Sequence, residues 1–263
     1  MITSMLLAAC LLDNAVVDRQ HLMVAIDPLT NRVEGSSRLR IAEGGDLVYR
    51  MHPNGRMEEV LVDGVARPAP RNTVLEDLPS GAVVTMRWTG THLEDVAAGE
   101  IEGEIHNRSV RAHVGTDGVF LSSGSSWHPQ PLDERGVPQL REMSIEIEPI
   151  SGWSLVASGN PTAAGESTDP VWNWTAPRPV PGLSVAGNRH QRRARTVETG
   201  HGPVEVVVQV SEANLSRAVH YLDASTDYLK TYCELLGPYP FERFTVVENF
   251  FSSGFAFPGF TLL

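Results

Sequence analysis

The chain is poor in the residues that staple, anchor or attract. Its two cysteines, Cys10 and Cys233, lie far apart, so neither a disulfide framework nor a thiolate zinc site is available, and two unrelated thiols are expected. Basic residues are too few for nucleic acid. Only 21 Lys and Arg stand against 32 Asp and Glu, a net charge of −11, whereas a phosphate backbone needs a basic face to displace its counterions. Long apolar runs are missing too. The one candidate, Met1 to Leu12, falls short of the ~20 residues that span a bilayer. Within it Leu7-Ala8-Ala9-Cys10 resembles a bacterial lipobox, whose cysteine is lipidated, yet no Lys or Arg precedes the apolar run as a signal peptide requires. Residues 1–15 are therefore read either as a truncated lipoprotein signal or as a disordered start. A membrane is expected as a partner only if Cys10 is lipidated, which would place the protein at a bacterial cell envelope; otherwise it is cytoplasmic.

What is present is an ordinary globular composition. With 41% hydrophobic and 20% charged side chains over 263 residues, the chain can bury a core without covalent staples, as one large domain or two. From Val16 to Val210 apolar and polar residues alternate in short runs: His21 to Ile26, Ser37 to Ile41, Val83 to Trp88, Met143 to Glu148 and Val204 to Val210. Period-2 patterning argues for strands with one buried face. Turn signals separate them, among them Asp27-Pro28, Asn54-Gly55, Asp63-Gly64, Asp117-Gly118 and Ser151-Gly152. Many short strands at this spacing predict a sandwich or open barrel, mostly antiparallel.

The character changes near Ser211. Ser211 to Asn214 offers N-cap residues, and a helical pattern then runs from about Leu215 to Leu236, with Leu215, Ala218, Val219, Leu222, Tyr228, Leu229, Tyr232 and Leu236 at 3–4 spacing. Gly237-Pro238 ends it. Phe244 to Glu248 is a strand, and Phe250 to Leu263 is aromatic and punctuated by glycine. An apolar edge strand with no closing element reads as a piece of something longer.

These last segments carry a resemblance. The helix, then Gly237-Pro238-Tyr239-Pro240-Phe241-Glu242-Arg243-Phe244, then a strand and the Gly254-to-Gly259 loop, resembles the zinc aminopeptidase family of membrane alanyl aminopeptidase. In that family a "fGpYPyeK" turn precedes a strand and a "GxMEN" or "GGMEYPG" loop that lies along bound substrate. Upstream, Met23-Val24-Ala25-Ile26-Asp27-Pro28 with Val33-Glu34-Gly35 is similar to the family's opening hairpin. Gly118-Val119-Phe120-Leu121 with Trp127-His128-Pro129 is similar to its "GvyL…WyP" stretch, and Gly152 to Gly159 to its "gw.vvasG" strand. The resemblance implies a mainly β fold: a saddle-like antiparallel β-sandwich domain over residues 16–212, then the first helix and strands of an α+β, thermolysin-like catalytic domain over 213–263. It implies a peptide substrate along Ser253, Gly254, Phe255, Ala256 and Phe257, and zinc as cofactor of the full-length family member.

The zinc chemistry needs a helix bearing H-E-x-x-H, whose two histidines share one face while the glutamate activates the metal-bound water. None of the nine histidines is followed by Glu, and no two stand four apart. No catalytic or metal-ligating residue is therefore expected here, and in the family that helix follows the substrate loop. Two departures fall among residues that are present. Aligning Pro258-Gly259 on the family's "PG" puts Ala256 where a glutamate binds the substrate's free α-amine, and a methyl group cannot accept from an ammonium. The second amine anchor, a "Q-x-E" stretch in the β domain, corresponds to Leu121-Ser122-Ser123-Gly124-Ser125-Ser126-Trp127, which has neither glutamine nor acid. Gln130 and Asp133-Glu134 substitute only if that loop folds differently. The expectation is a peptidase fragment that does not select free N-termini; the alternative is a non-catalytic binding or scaffold module of the same fold, fused to a membrane transporter.

Other features read as structural. Trp172-Asn173-Trp174 places tryptophans in and beside a core. His128 is a strand-end residue, and Arg189, Arg192, Arg193 and Arg195 decorate a solvated hairpin. Tyr239 and Glu248 are packing and strand positions. Asn107-Arg108-Ser109 and Asn214-Leu215-Ser216 match glycosylation sequons that matter only in a eukaryotic secretory protein.

Overall fold

A computed structural model of the chain describes residues 14–70, 72–96, 99–101, 104–106, 110–162, 172–251 and 253–263. Cys10 and the sequon at Asn107 lie outside them. The fold is mainly β, as the alternation predicts. Eight strands form the largest sheet, in the order Asn160–Pro161, Asn173–Thr175, Glu142–Ile147, Val16–Asp27, Arg32–Glu43, Val83–Thr91, Gly55–Val62 and Val65–Arg67. All its pairings are antiparallel except one, Val16–Asp27 beside Glu142–Ile147. A four-stranded sheet of Ala112–Gly115, Gly118–Leu121, Val185–Asn188 and Ser154–Ala157 packs against it.

Alternation does the sorting. Leu22, Val24 and Ile26 point inward along one strand while Met23 and Asp27 stay exposed. Their core closes on Trp88, Trp127 and Trp174, with Trp88 and Trp127 edge to face at 5.9 Å. Trp174 is thus a core residue. Several polar groups that share this interior are bonded to one another. The Gln20 amide nitrogen donates to Ser37 Oγ at 2.6 Å and to the Pro129 carbonyl at 2.9 Å, and its oxygen accepts from Arg141 Nε at 2.6 Å. Arg141 also donates from Nη1 to the carbonyls of Gln139 and Pro181. Burial pulls the Arg141 pKa down to about 9, which leaves it charged at neutral pH. A second core of aliphatic residues and Tyr49 lies beneath the three-stranded sheet of Gln130–Pro131, Gly45–Arg50 and Val74–Leu78.

The C-terminal part is a five-stranded sheet in the order Gln191–Thr199, Gly202–Val210, Arg243–Val247, Phe260–Leu262 and Phe255–Phe257. Its first two strands precede the change in character near Ser211. The α-helix Ala218–Leu236 packs on the face made by Val204, Val206, Val208 and Val246 through Ala218, Leu222 and Leu229. Of the apolar positions in the helical pattern, Val219, Tyr228, Tyr232 and Leu236 are exposed. The helix also starts later than the pattern predicts. Residues Glu212–Arg217 form a 3-10 turn, and Ser211 makes no side-chain cap bond. The reason is competition. Glu248 accepts from the Ser211 amide at 2.5 Å, from the Ser211 hydroxyl at 3.1 Å and from the Asn214 amide nitrogen at 2.5 Å. Burial pushes the Glu248 carboxyl upward, but these three bonds and nearby His190 outweigh it and hold the pKa below the ordinary range. Glu248 is therefore more than a strand position; it ties the start of the helix to the end of the neighbouring strand.

The arginine-rich strand Gln191–Thr199 lies exposed at one edge of this sheet, as a solvated hairpin. Arg192 meets Glu205 at 2.6 Å, Arg195 meets Asp223 at 2.7 Å, and Arg189 lies over the Trp153 ring. Such charges blunt an edge against pairing with other chains.

Burial keeps three histidines neutral. It lowers the His128 pKa to about 3, with Arg141 adding to the effect, the His92 pKa to about 4, with His52 adding, and the His190 pKa to about 4 against the pull of Glu248. Each folded-state value lies below the ordinary 6.5, so below that pH the unfolded chain takes up protons that the folded chain refuses. This contribution to stability is complete above pH 6.5 and is lost as the pH falls toward 4, at about 1.4 kcal/mol per pH unit for each histidine. Urea unfolding between about pH 7 and about pH 5 measures the slope. His128→Gln should flatten it by one histidine's share, and an unchanged slope would refute the assignment.

Candidate functional site

The strand Phe255–Phe257 forms the free edge of the five-stranded sheet, opposite the arginine edge. It is joined to Phe260–Leu262 by the two-residue turn Pro258-Gly259, with Phe257 paired to Phe260, Ala256 to Thr261 and Phe255 to Leu262. In a hairpin with a two-residue loop the residues flanking the loop exchange backbone bonds, and pairs then alternate. The backbone N–H and C=O of Ala256 consequently point away from the sheet. The bonds on the other side agree: the Thr245 amide donates to the Gly259 carbonyl and the Leu263 amide to the Val247 carbonyl, so the alternate residue Thr261 turns its backbone groups to Arg243–Val247 and away from Ala256.

Aromatic packing holds this edge in place. Phe255 stacks on Phe120 at 5.2 Å, Phe257 stacks on Phe260 at 4.8 Å, and Phe251 lies 5.5 Å from Phe120. Phe120 belongs to the four-stranded sheet, so the cluster joins the β sandwich to the five-stranded sheet. Hydrogen bonds reinforce it. The Gly159 amide donates to the Pro258 carbonyl at 2.9 Å, and the Glu242 amide donates to Asn160 Oδ1 at 3.0 Å. Gly118 leaves no room for a side chain, since a Cβ there would stand 2.2 Å from the Phe250 ring.

The residues predicted along the substrate do not behave alike. Phe255, Ala256 and Phe257 make the edge strand, the two phenylalanines half-buried and Ala256 exposed. Ser253 and exposed Gly254 lead into it, and the Ser253 carbonyl accepts from the Asn249 amide nitrogen at 2.8 Å. Sequence reasoning missed Phe120 as a member of the site. Its only signal was its place in the Gly118-to-Leu121 run.

The proposed substitutes for the second amine anchor are committed elsewhere. Gln130 is buried; its oxygen accepts from Ser126 Oγ at 2.8 Å and its nitrogen donates to the Ser123 carbonyl at 2.7 Å. Asp133 closes its own loop by accepting from the amides of Arg135 and Val137. Upstream of both, the serine segment folds as a short 3-10 turn at Ser123–Ser125, in which the Ser122 side chain accepts from the Gly124 amide. The turn itself contains no carboxylate, and Glu134 is an exposed residue of the loop that Asp133 closes. Among the described residues, no three His, Cys, Asp or Glu side chains converge as a metal site. The described residues do not by themselves fit zinc.

The whole arrangement has counterparts among solved structures. An M1 zinc metallopeptidase from Deinococcus radiodurans superposes with a TM-score of 0.65 at 16% sequence identity, over 93% of this chain. The chain has the M1 zinc metallopeptidase fold. A two-domain M1 variant bound to L-tryptophan, and a Deinococcus radiodurans M1 variant bound to a Tyr-Ser-Ala substrate, each superpose with a TM-score of 0.69 at 15% identity. The chain spans 59% of the length of each of these M1 structures. At these identities the likeness is one of fold. Neither a family model nor a curated protein sequence matches the chain.

The contact between Gly259 and Gly159 gives a direct test of the junction. Gly259 has φ +88° and a Cβ there would approach the Gly159 carbonyl oxygen to 2.8 Å, whereas Gly64, at φ +81°, faces open space. Both alanine variants pay the same backbone strain, roughly 1 kcal/mol, but only Gly259→Ala also displaces the turn. Thermal melts should show Gly259→Ala lowered clearly more than Gly64→Ala; equal losses would mean that the turn is not held against the sandwich.

Proposed function

We propose that this chain forms the peptide-cleft half of an M1-type zinc metallopeptidase, with residues 16–212 shaping the cleft and residues 213–263 opening the catalytic domain. The observation that carries this reading is the free edge strand Phe255–Phe257, set against the β sandwich within an M1 fold. Peptide hydrolysis requires an extended substrate held near the reacting centre, and a sheet edge supplies that by main-chain pairing. One M1 structure with this fold holds a tripeptide, Tyr-Ser-Ala. Zinc belongs to the full-length protein in this reading, and no catalytic step is assigned to residues of this chain.

The motifs quoted from the sequence favour the membrane alanyl aminopeptidase branch, but the amine anchors do not. Ala256 presents a methyl group where that branch has a carboxylate, and in the Ser122-to-Ser126 turn the Ser122, Ser125 and Ser126 hydroxyls are turned to its own backbone and to Gln130. A free ammonium would gain no ion pair there, which removes the usual reason to prefer it over an acylated or internal residue. The same replacements support the second reading, a binding module of this fold in which peptides are held without being cut.

Assaying the full-length protein on aminoacyl-anilides against N-acylated peptides separates these. The expected result is cleavage with no preference for the free amine; strong preference for it overturns the specificity reading, and binding without cleavage selects the module. Ala256→Glu should restore at least about tenfold preference for the free amine, the worth of roughly one charge-assisted hydrogen bond.

A further inference from the structure

Strand geometry sorts the side chains around the free edge onto two faces. Phe255 and Phe257 share register with Leu262 and Phe260, and so stand on the face turned to Phe120 and the β sandwich. Ala256 and its partner Thr261 stand on the other face, where Ala256 is exposed. A peptide strand added at this edge inherits the same alternation. The peptide residue opposite Ala256 exchanges both backbone bonds with it and points its side chain to the Ala256 face. That residue's two neighbours point to the phenylalanine face.

The two faces differ in what they recognise. On one, Phe255 and Phe257 lie 6.0 Å apart with rings 25° from parallel, each backed by another phenylalanine and each still partly open. On the other there is a single methyl group. From Asn249 to Leu263 the sequence contains no ionisable side chain, so the hairpin itself offers a ligand no charge. We propose that the edge selects an extended segment of the form apolar–any–apolar, with the two apolar side chains seated on Phe255 and Phe257 and the central side chain unread. The segment needs no free amine, and its central residue must carry a backbone N–H to donate to the Ala256 carbonyl. This rests on the reading of Phe255–Phe257 as a peptide-binding edge, and adds the class of sequence that it takes.

The test uses this chain and three peptides, each N-acetylated and C-amidated, with Leu-Thr-Leu, Ser-Thr-Ser or Leu-Pro-Leu between identical polar flanks. Backbone amide NMR shifts at Ala256 report edge pairing, and titration gives Kd. Leu-Thr-Leu should shift the Ala256 amide and bind about tenfold or more tighter than Ser-Thr-Ser, because apolar area leaves water only for the former. Leu-Pro-Leu should fail, since proline has no N–H for the central bond. Ala256→Pro removes only an outward-facing N–H, which an edge strand tolerates. It should keep the fold by circular dichroism and lose the peptide. Equal binding of Leu-Thr-Leu and Ser-Thr-Ser with the Ala256 shift intact overturns the proposed selectivity and leaves the edge reading standing. No shift at Ala256 with any peptide overturns both.

Discussion

The phenylalanine cluster around Phe120 is the contact on which the arrangement of this molecule depends. It is the place where a β sandwich and a separate five-stranded sheet share one apolar core. Phe120 comes from the sandwich; Phe251, Phe255, Phe257 and Phe260 come from the C-terminal turn and strands. Aromatic rings suit such a joint because they bury large area with only two side-chain torsions to fix. The Gly159 backbone bond and the Asn160 side-chain bond then set the angle of approach, and Gly118 lets the Phe250 ring lie directly on the sandwich backbone.

Polar anchoring complements it. Glu248 lies one residue beyond the strand Arg243–Val247 and gathers Ser211 and Asn214, fixing where the helix begins. Deeper in the sandwich, Gln20, Ser37 and Arg141 lock strands that are far apart in sequence. Buried polar groups cost free energy unless bonded, so such a knot specifies register as well as stability.

Much of this was legible in the sequence, because local periodicity reports which face is buried. Every alternating run, from His21–Ile26 to Val204–Val210, lies in a strand or reaches just past its end, and Gly237 ends the helix as expected. Three things were not legible, and for physical reasons. The parallel pairing of Val16–Asp27 with Glu142–Ile147 is set by tertiary packing, which a period cannot encode. The delayed helix start follows from Glu248 capturing the capping side chains, a contact across 34 to 37 residues. The outward stripe of Tyr228, Tyr232 and Leu236 shows that apolar spacing marks a helix without saying how many of its faces are covered. At the candidate site Ala256 stood out against its motif, whereas Phe120 became visible only once folding brought it to the edge strand.

The five-stranded sheet is also a structure with two unlike ends. At one end, a nine-residue strand is guarded by arginines; at the other, a three-residue strand is bare and uncharged. Growth of the ladder by a second copy is therefore allowed on one side only. Two molecules can meet bare edge to bare edge, and the resulting ten-stranded sheet then presents charged strands at both of its limits. Within this sheet, self-pairing of that kind would close at a pair.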